Sequence, residues 1–415
     1  MKWIKPSEIQ GSLEAPPSKS MTIRSLAAAS LCRFEAEIRN ISRCDDGMAA
    51  LNVVRGLGAE VHEPEGRVLI RGGVYPVSSE LDCGESGLCM RMFAPIAALN
   101  GTVVTLIGRD SLKKRPMDSV EDALNPLGAV CRTRRGFPPI LIQGPIRGGE
   151  VTLDGSLTSQ VITGMLAALP VCRENSVVHL KDLTSRPYVE MTLSVLRHFS
   201  IEVFVEGDMG SLFIPGGQEY KGKVYEVEGD WSGAAFLLAA GAVGGSAEVR
   251  NLSTASLQAD KKILDALRAC GARVEEGERG ISVSRRDLTA FDFDAVDCPD
   301  LFPPLSVLAA CCKGKSRISG VHRLKHKESD RAAVLESELA KIGARLSING
   351  DSMIIDGGVI PGGEIDSHGD HRIAMAGALA GIVSEKGIGI KGWRSVTKSY
   401  PKFFHDLEML QEGKK

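Results

Sequence analysis

The chain is 415 residues long, and at about 150 residues per domain that length predicts two or three domains. Hydrophobic residues make up 43% and charged residues 25%, which excludes a disordered, collagenous or low-complexity chain. A formal net charge of −2 argues against a surface built for nucleic acid, so anion binding has to come from locally gathered cations.

The opening segment, MKWIKPSEIQ, lacks an apolar signal core, and the longest apolar run, Ala234 to Val243, is too short for a membrane span; a cytoplasmic protein is expected. In LEAPPSKS (13–20) Pro16 and Pro17 bar regular structure, and this is one predicted crossing between two halves of the chain. PSKSMTIRS (17–25) then sets Lys19 and Ser20 behind the proline turn, with Arg24 one helical turn beyond Ser20. Two readings stand for it: a helix start whose cations and backbone N–H groups hold one anion, or an N-cap with solvated charges.

Farther along, a phrase recurs in which a helix-period segment runs into a small-residue break and a short strand. Its copies are LNVVRGLGAEV (51–61), DALNPLGAVC (122–131), TLSVLRHFSIEV (192–203), ILDALRACGARV (263–274) and LESELAKIGARL (335–346). Gly58, Gly128, Ser200, Gly271 and Gly343 mark the break at intervals of 70, 72, 71 and 72 residues, so six units fit the chain. The sixth is the C-terminal helix PKFFHDLEML (401–410), cut off where its break would follow. Leu and Ile at i, i+3 and i+4 give each helix one buried face, and glycine after it supplies a left-handed C-cap. Alternating helices and paired short strands predict an α/β fold with helices covering sheets, three units to each half, and not a doubly wound sheet. With the second crossing at EVEGD (226–230), residues 1–17 and 229–415 form one discontinuous domain and 18–228 an inserted one.

Four further segments place a Lys or Arg where a loop meets a helix. GRDSLKKRPM (108–117) gathers Arg109, Lys113, Lys114 and Arg115 ahead of Pro116, and KHKESDR (325–331) sets Glu328 three residues before Arg331. GDHRIAM (369–375) opens an apolar helix on Asp370, His371 and Arg372, and TKSYPKFF (397–404) puts Lys398 before the last helix. Taken singly, these also read as a solvated loop, a surface ion pair or a helix cap. The ten cysteines include no CxxC pair, and Cys311 and Cys312 are adjacent, so buried reduced thiols are expected rather than a zinc site or a disulfide framework.

Taken together, the ordered series PSKSMTIR, GESGLCMR, KKRPM, GSLTSQVITGML, SRPYVEMTL, VEGDWSGAAF, CPDLFPPL, KHKESDR, GDHRIAM and VTKSYP resembles the enolpyruvyl transferase family, in its shikimate 3-phosphate branch, across essentially the whole chain. The resemblance implies a two-domain inside-out α/β barrel with six repeats of a βαβαββ unit, three per domain, closing around its ligands. It implies a monomer that moves the enolpyruvyl group of phosphoenolpyruvate to the 5-hydroxyl of shikimate 3-phosphate and releases phosphate. No metal, nucleotide or organic cofactor is implied. Carried over by position, Lys19, Ser20, Arg24, Thr158, Ser159, Gln160 and Ser185 hold shikimate 3-phosphate, joined by Asp300 and Lys327. Lys19, Gly87, Arg115, Gln160, Arg331, Arg372 and Lys398 receive phosphoenolpyruvate.

By the same resemblance Asp300 accepts the hydroxyl proton, while Glu328 with Lys19 or Lys398 moves protons at C3 of the enol. Apolar and proline neighbours in CPDLFPP are expected to desolvate Asp300 and raise its basicity; the plainer reading is a helix cap before Leu301. The two substrates together carry a charge of about −5 to −6. Seven cations stand ready for them: Lys19, Arg24, Arg115, Lys327, Arg331, Arg372 and Lys398. One departure is GESGLCMR (84–91), where the family usually reads GNAGTAMR, so Glu85 and Leu88 alter the polar contacts beside a pocket for which glyphosate competes in that family.

Three rivals remain at this level. The branch acting on UDP-N-acetylglucosamine carries a reactive cysteine in a loop that here reads GRDSLKKRPM, without one. RNA 3′-phosphate cyclase shares related units but needs a nucleotide and a basic RNA-facing surface. A non-catalytic binder of phosphorylated metabolites would need only the cations.

Overall fold

The computed structural model describes residues 1–411 apart from 74 and 279. All five break markers take left-handed backbone, with φ of 100° at Gly58, 95° at Gly128, 66° at Ser200, 87° at Gly271 and 88° at Gly343. Each marker closes its helix by donating back into the last turn while the next residue reaches one step farther, as in Gly271 N–H to Arg268 O and Ala272 N–H to Leu267 O, both 3.0 Å. Ser200 makes the same turn without glycine's freedom, its N–H donating to Arg197 O at 3.1 Å.

Released by this turn, the chain enters a short strand, and the described residues form six open sheets. One uninterrupted unit runs through strand Glu80–Asp82, helix Gly87–Ala97, strand Val104–Ile107, helix Asp118–Leu124 and strands Val130–Arg134 and Phe137–Gln143, which is βαβαββ order. Its first two strands are parallel, and the fourth lies antiparallel between the second and third. Five of the six sheets have this four-stranded plan. Two of them are assembled from distant segments: Ile9–Glu14 pairs in parallel with Gly245–Arg250, and Val224–Glu226 with Ala36–Arg39. In the sixth, Gly363–Asp366 and Ile388–Lys391 are parallel, and the strand Lys2–Ile4 supplies the antiparallel neighbour.

The chain divides into two compact units, residues 17–227 and residues 1–16 with 228–415. Each unit has three helices buried along nearly their whole length. In the first these are Lys19–Ser30, Gly87–Ala97 and Gln160–Ala168. In the second they are Trp231–Gly244, Phe302–Ala310 and His371–Val383. Their composition requires this, since a helix such as WSGAAFLLAAGAVG has no polar face to give to water. The other helix of each repeat is one-sided, as in Arg186–His198, and the strands alternate inward and outward residues, as in Phe137–Gln143. Helices inside and sheets outside is the inside-out arrangement expected, built of mixed open sheets. Among the described residues, no helix is long and apolar enough to cross a membrane.

Candidate active site

Four of the six buried helices start on a polar side-chain cap. Ser18, Ser86, Asp230 and Asp370 each accept a hydrogen bond from an N–H in the turn they open. Such a helix start presents unpaired N–H groups and a partial positive charge, which suits anions.

In the unit of residues 17–227, Lys19 is the first residue of its helix, and its Nζ lies 2.9 Å from Asp46 Oδ2. Arg24, one turn on, is buried: its Nε donates to Thr192 Oγ1 at 3.0 Å, Nη1 to Ser20 O at 3.0 Å, and Nη2 to Tyr188 O at 3.2 Å. These partners are neutral, and burial lowers the Arg24 pKa to about 10. Gln160 opens the third buried helix; its Oε1 accepts from Arg91 Nη1 at 2.7 Å, while Arg91 Nη2 holds Pro116 O at 2.7 Å. Thr158 Oγ1 accepts from Gln160 N–H at 3.2 Å, and Ser159 is buried at the cap position. Ser185, also buried, caps the helix Arg186–His198 with a left-handed φ of 58°. Arg24 thereby ties its helix to Arg186–His198 and, through Nη2 3.5 Å from Thr163 Oγ1, to Gln160–Ala168, which Arg91 ties to Gly87–Ala97.

Gly87 begins the helix Gly87–Ala97, and a Cβ added there would lie 2.7 Å from the guanidinium carbon of Arg115. Arg115 itself is only 8% exposed, so GRDSLKKRPM is not simply a solvated charge run; Arg109, by contrast, is an exposed partner of Asp82. Glu85, one of the departures, accepts from Ser111 Oγ at 2.5 Å and ties the start of this helix to that same loop.

In the other unit a denser cluster forms around Arg331, which is fully buried at the first position of the helix Arg331–Lys341. Its Nη1 donates to Asp300 Oδ1 at 2.8 Å, its Nη2 to Glu328 Oε2 at 2.7 Å, and its Nε to Asp370 Oδ2 at 2.9 Å. Asp300 also receives Arg372 Nη2 at 3.0 Å and Lys327 Nζ at 3.4 Å. Asp370 caps the helix of Arg372 and at the same time holds Arg331, so the capping reading describes half of its role. Lys398 ends the short 3-10 helix Trp393–Lys398 and is 4% exposed.

Three expectations change here. Glu328 and Arg331 are not an ordinary surface pair, since Arg331 is wholly buried and Glu328 is only 11% exposed. Asp300 does not cap the helix after it, and its pKa moves down rather than up: burial raises it, but Arg372, Lys327 and Arg331 together hold it well below the usual carboxylate range. The seven cations are not a free surplus, since Lys19, Lys327, Arg331 and Arg372 already face acids. Asp46, the partner of Lys19, is an acid that reading the motifs misses. No group of three or more His, Cys, Asp or Glu suited to a metal ion is present among the described residues.

Residues 4–407 match the family profile of EPSP synthase (3-phosphoshikimate 1-carboxyvinyltransferase). The chain belongs to the EPSP synthase family. Among its relatives is a 3-phosphoshikimate 1-carboxyvinyltransferase of Korarchaeum cryptofilum, 38% identical with 98% of this chain and 97% of the relative covered. Another, from Clostridium perfringens, is 36% identical with the same coverage. An EPSP synthase structure from Acinetobacter baumannii superimposes with a TM-score of 0.81 at 28% identity, covering 99% of this chain and 97% of that one. An enolpyruvyl transferase from Streptomyces tendae shares the fold with a TM-score of 0.80 at 17% identity. Family membership makes the chain a transferase of the shikimate pathway, with enolpyruvyl transfer as its reaction.

Proposed function

We propose that this chain joins phosphoenolpyruvate to the 5-hydroxyl of shikimate 3-phosphate, with Asp300 as the base. The observation that carries this reading is a carboxylate 22% exposed and held by three cations, one of them entirely buried. Shikimate 3-phosphate is held by Lys19, Ser20, Arg24, Thr158, Ser159, Gln160 and Ser185, with Asp300 and Lys327. Phosphoenolpyruvate is received by Lys19, Gly87, Arg115, Gln160, Arg331, Arg372 and Lys398. The substrate anions compete for Arg372 and Lys327, and as those cations turn to substrate the Asp300 carboxylate regains basicity.

In the addition step the 5-oxygen bonds to C2 of the enol, its proton passes to Asp300, and C3 gains a proton from Glu328 working with Lys19 or Lys398. In the elimination step the C3 methyl gives up a proton to the same group, the double bond reforms, and the C2–O bond to phosphate breaks as the proton held by Asp300 passes to the leaving phosphate. Holding two polyanions in register removes roughly 7–11 kcal/mol of barrier as pre-organisation. The domains of this reading are residues 1–17 with 229–415 and residues 18–228, and the enzyme is a cytoplasmic monomer.

Gly87→Ala tests the phosphoenolpyruvate assignment. A methyl group 2.7 Å from the Arg115 guanidinium carbon displaces that cation. The KM for phosphoenolpyruvate should rise at least about tenfold, the equivalent of 1.4 kcal/mol, with the KM for shikimate 3-phosphate little changed. Steady-state kinetics with each substrate varied in turn checks this, and equal changes in both constants would count against it.

A further inference from the structure

Asp260 lies in the short 3-10 helix Ala259–Lys262 and is 1% exposed. Ser232 Oγ, in the first turn of the helix Trp231–Gly244, donates to its Oδ2. Its other oxygen, Oδ1, is buried with no hydrogen bond, and so is Nη1 of Arg372, whose Nη2 is spent on Asp300. A buried carboxylate oxygen and a buried guanidinium nitrogen, both unsatisfied and opposite in charge, are each costly alone. Asp260 and Arg372 feel each other: each moves the other's ionisation toward the charged form.

We propose that Asp260 is a positioning residue for Arg372, anchoring the guanidinium through Oδ1 when it leaves Asp300 for a substrate carboxylate. The exchange has two consequences. Nη2 is freed for the substrate anion while Nη1 gains the bond to Oδ1 that it lacks in this structure, so the arginine is held at a second point as it turns. Asp300 sheds one of the three cations that depress it and becomes a better proton acceptor. The inference rests on the reading that Arg372 receives phosphoenolpyruvate.

The anchor works only when ionised. Around Asp260 stand Ser232 and Asp230 from the helix Trp231–Gly244, Cys298 and Asp300 from the CPD turn, Arg372, and Lys261 and Lys262 on its own helix. Burial first, and Asp300 next, push its pKa up to about 6, so the anchor is lost as pH falls through that value.

Asp260→Asn keeps the shape and an acceptor for Ser232 but removes the charge. The expected result is a KM for phosphoenolpyruvate raised about tenfold at pH 7.5, an unchanged KM for shikimate 3-phosphate, and a Tm equal to or above that of the unaltered enzyme. Below about pH 6 the two proteins should converge in kcat/KM for phosphoenolpyruvate, because Asp260 is then protonated in the unaltered enzyme. Ser232→Ala, which unfastens Oδ2, should raise the same KM by a smaller factor. Arg372→Lys is run in parallel. If that variant raises the phosphoenolpyruvate KM and Asp260→Asn leaves it and the pH profile unmoved, the positioning role is overturned. If Arg372→Lys itself leaves the constant unmoved, the reading of Arg372 as a substrate ligand fails instead.

Discussion

Asp300→Ala is expected to lower turnover by at least about 10²-fold while shikimate 3-phosphate still binds, as for loss of a general base. The separation of the two effects follows from the cluster. Removing the carboxylate leaves Lys327, Arg331 and Arg372 with one acid fewer between them, so the site becomes more attractive to anionic substrates, not less. On the proposed assignment, what is lost is the acceptor for the hydroxyl proton. Single-turnover kinetics and calorimetric titration with shikimate 3-phosphate on one preparation separate chemistry from binding. Near-normal turnover would remove Asp300 from the mechanism, and loss of both binding and turnover would make it a structural residue.

Arg331→Met should produce the largest loss of stability, about 3–5 kcal/mol near neutral pH, because it leaves buried acids without their cation. The side chain has no exposure and donates to Asp300, Glu328 and Asp370, so no water or neighbour replaces it in place. The pH dependence has a definite sign. Asp300 has a folded-state pKa well below the ordinary 3.8, so its contribution is fully present above that value and is lost as pH falls through the lower folded one. In the variant this carboxyl is less depressed, and the difference in stability should narrow in acid. Urea unfolding at neutral pH and again below pH 3.8 measures both. A neutral-pH difference under about 1 kcal/mol would mean that the remaining cations serve the acids equally well.

The repeats were legible because each ends on a locally encoded event. A left-handed residue after an apolar-faced helix is visible in five consecutive windows, and even Ser200 keeps the turn without glycine. The first turns carrying Lys19, Arg331 and Arg372 were legible for the same reason, since a cap and the residues after it are neighbours in the chain. Which acid each cation meets was not. Lys19 and Asp46 are 27 residues apart, Arg331 and Asp370 are 39, and Arg372 and Asp300 are 72. Those pairs are set by how separate elements pack, within one repeat for Lys19 and Asp46 and between repeats for the other two, and helical periodicity says only which side of each helix is inside. That is why Asp300 read as a desolvated base, when the decisive influence is three cations supplied by later segments. The strand Lys2–Ile4 was hidden for another reason: three residues are too few to show alternation, and its partner lies at the far end of the chain.

Phosphate release from phosphoenolpyruvate, followed in EDTA with shikimate 3-phosphate as acceptor and with UDP-N-acetylglucosamine in a parallel reaction, tests the assigned chemistry most directly. Stoichiometric release with shikimate 3-phosphate alone is the predicted result. Release only with the UDP-sugar, or with neither acceptor, would contradict it.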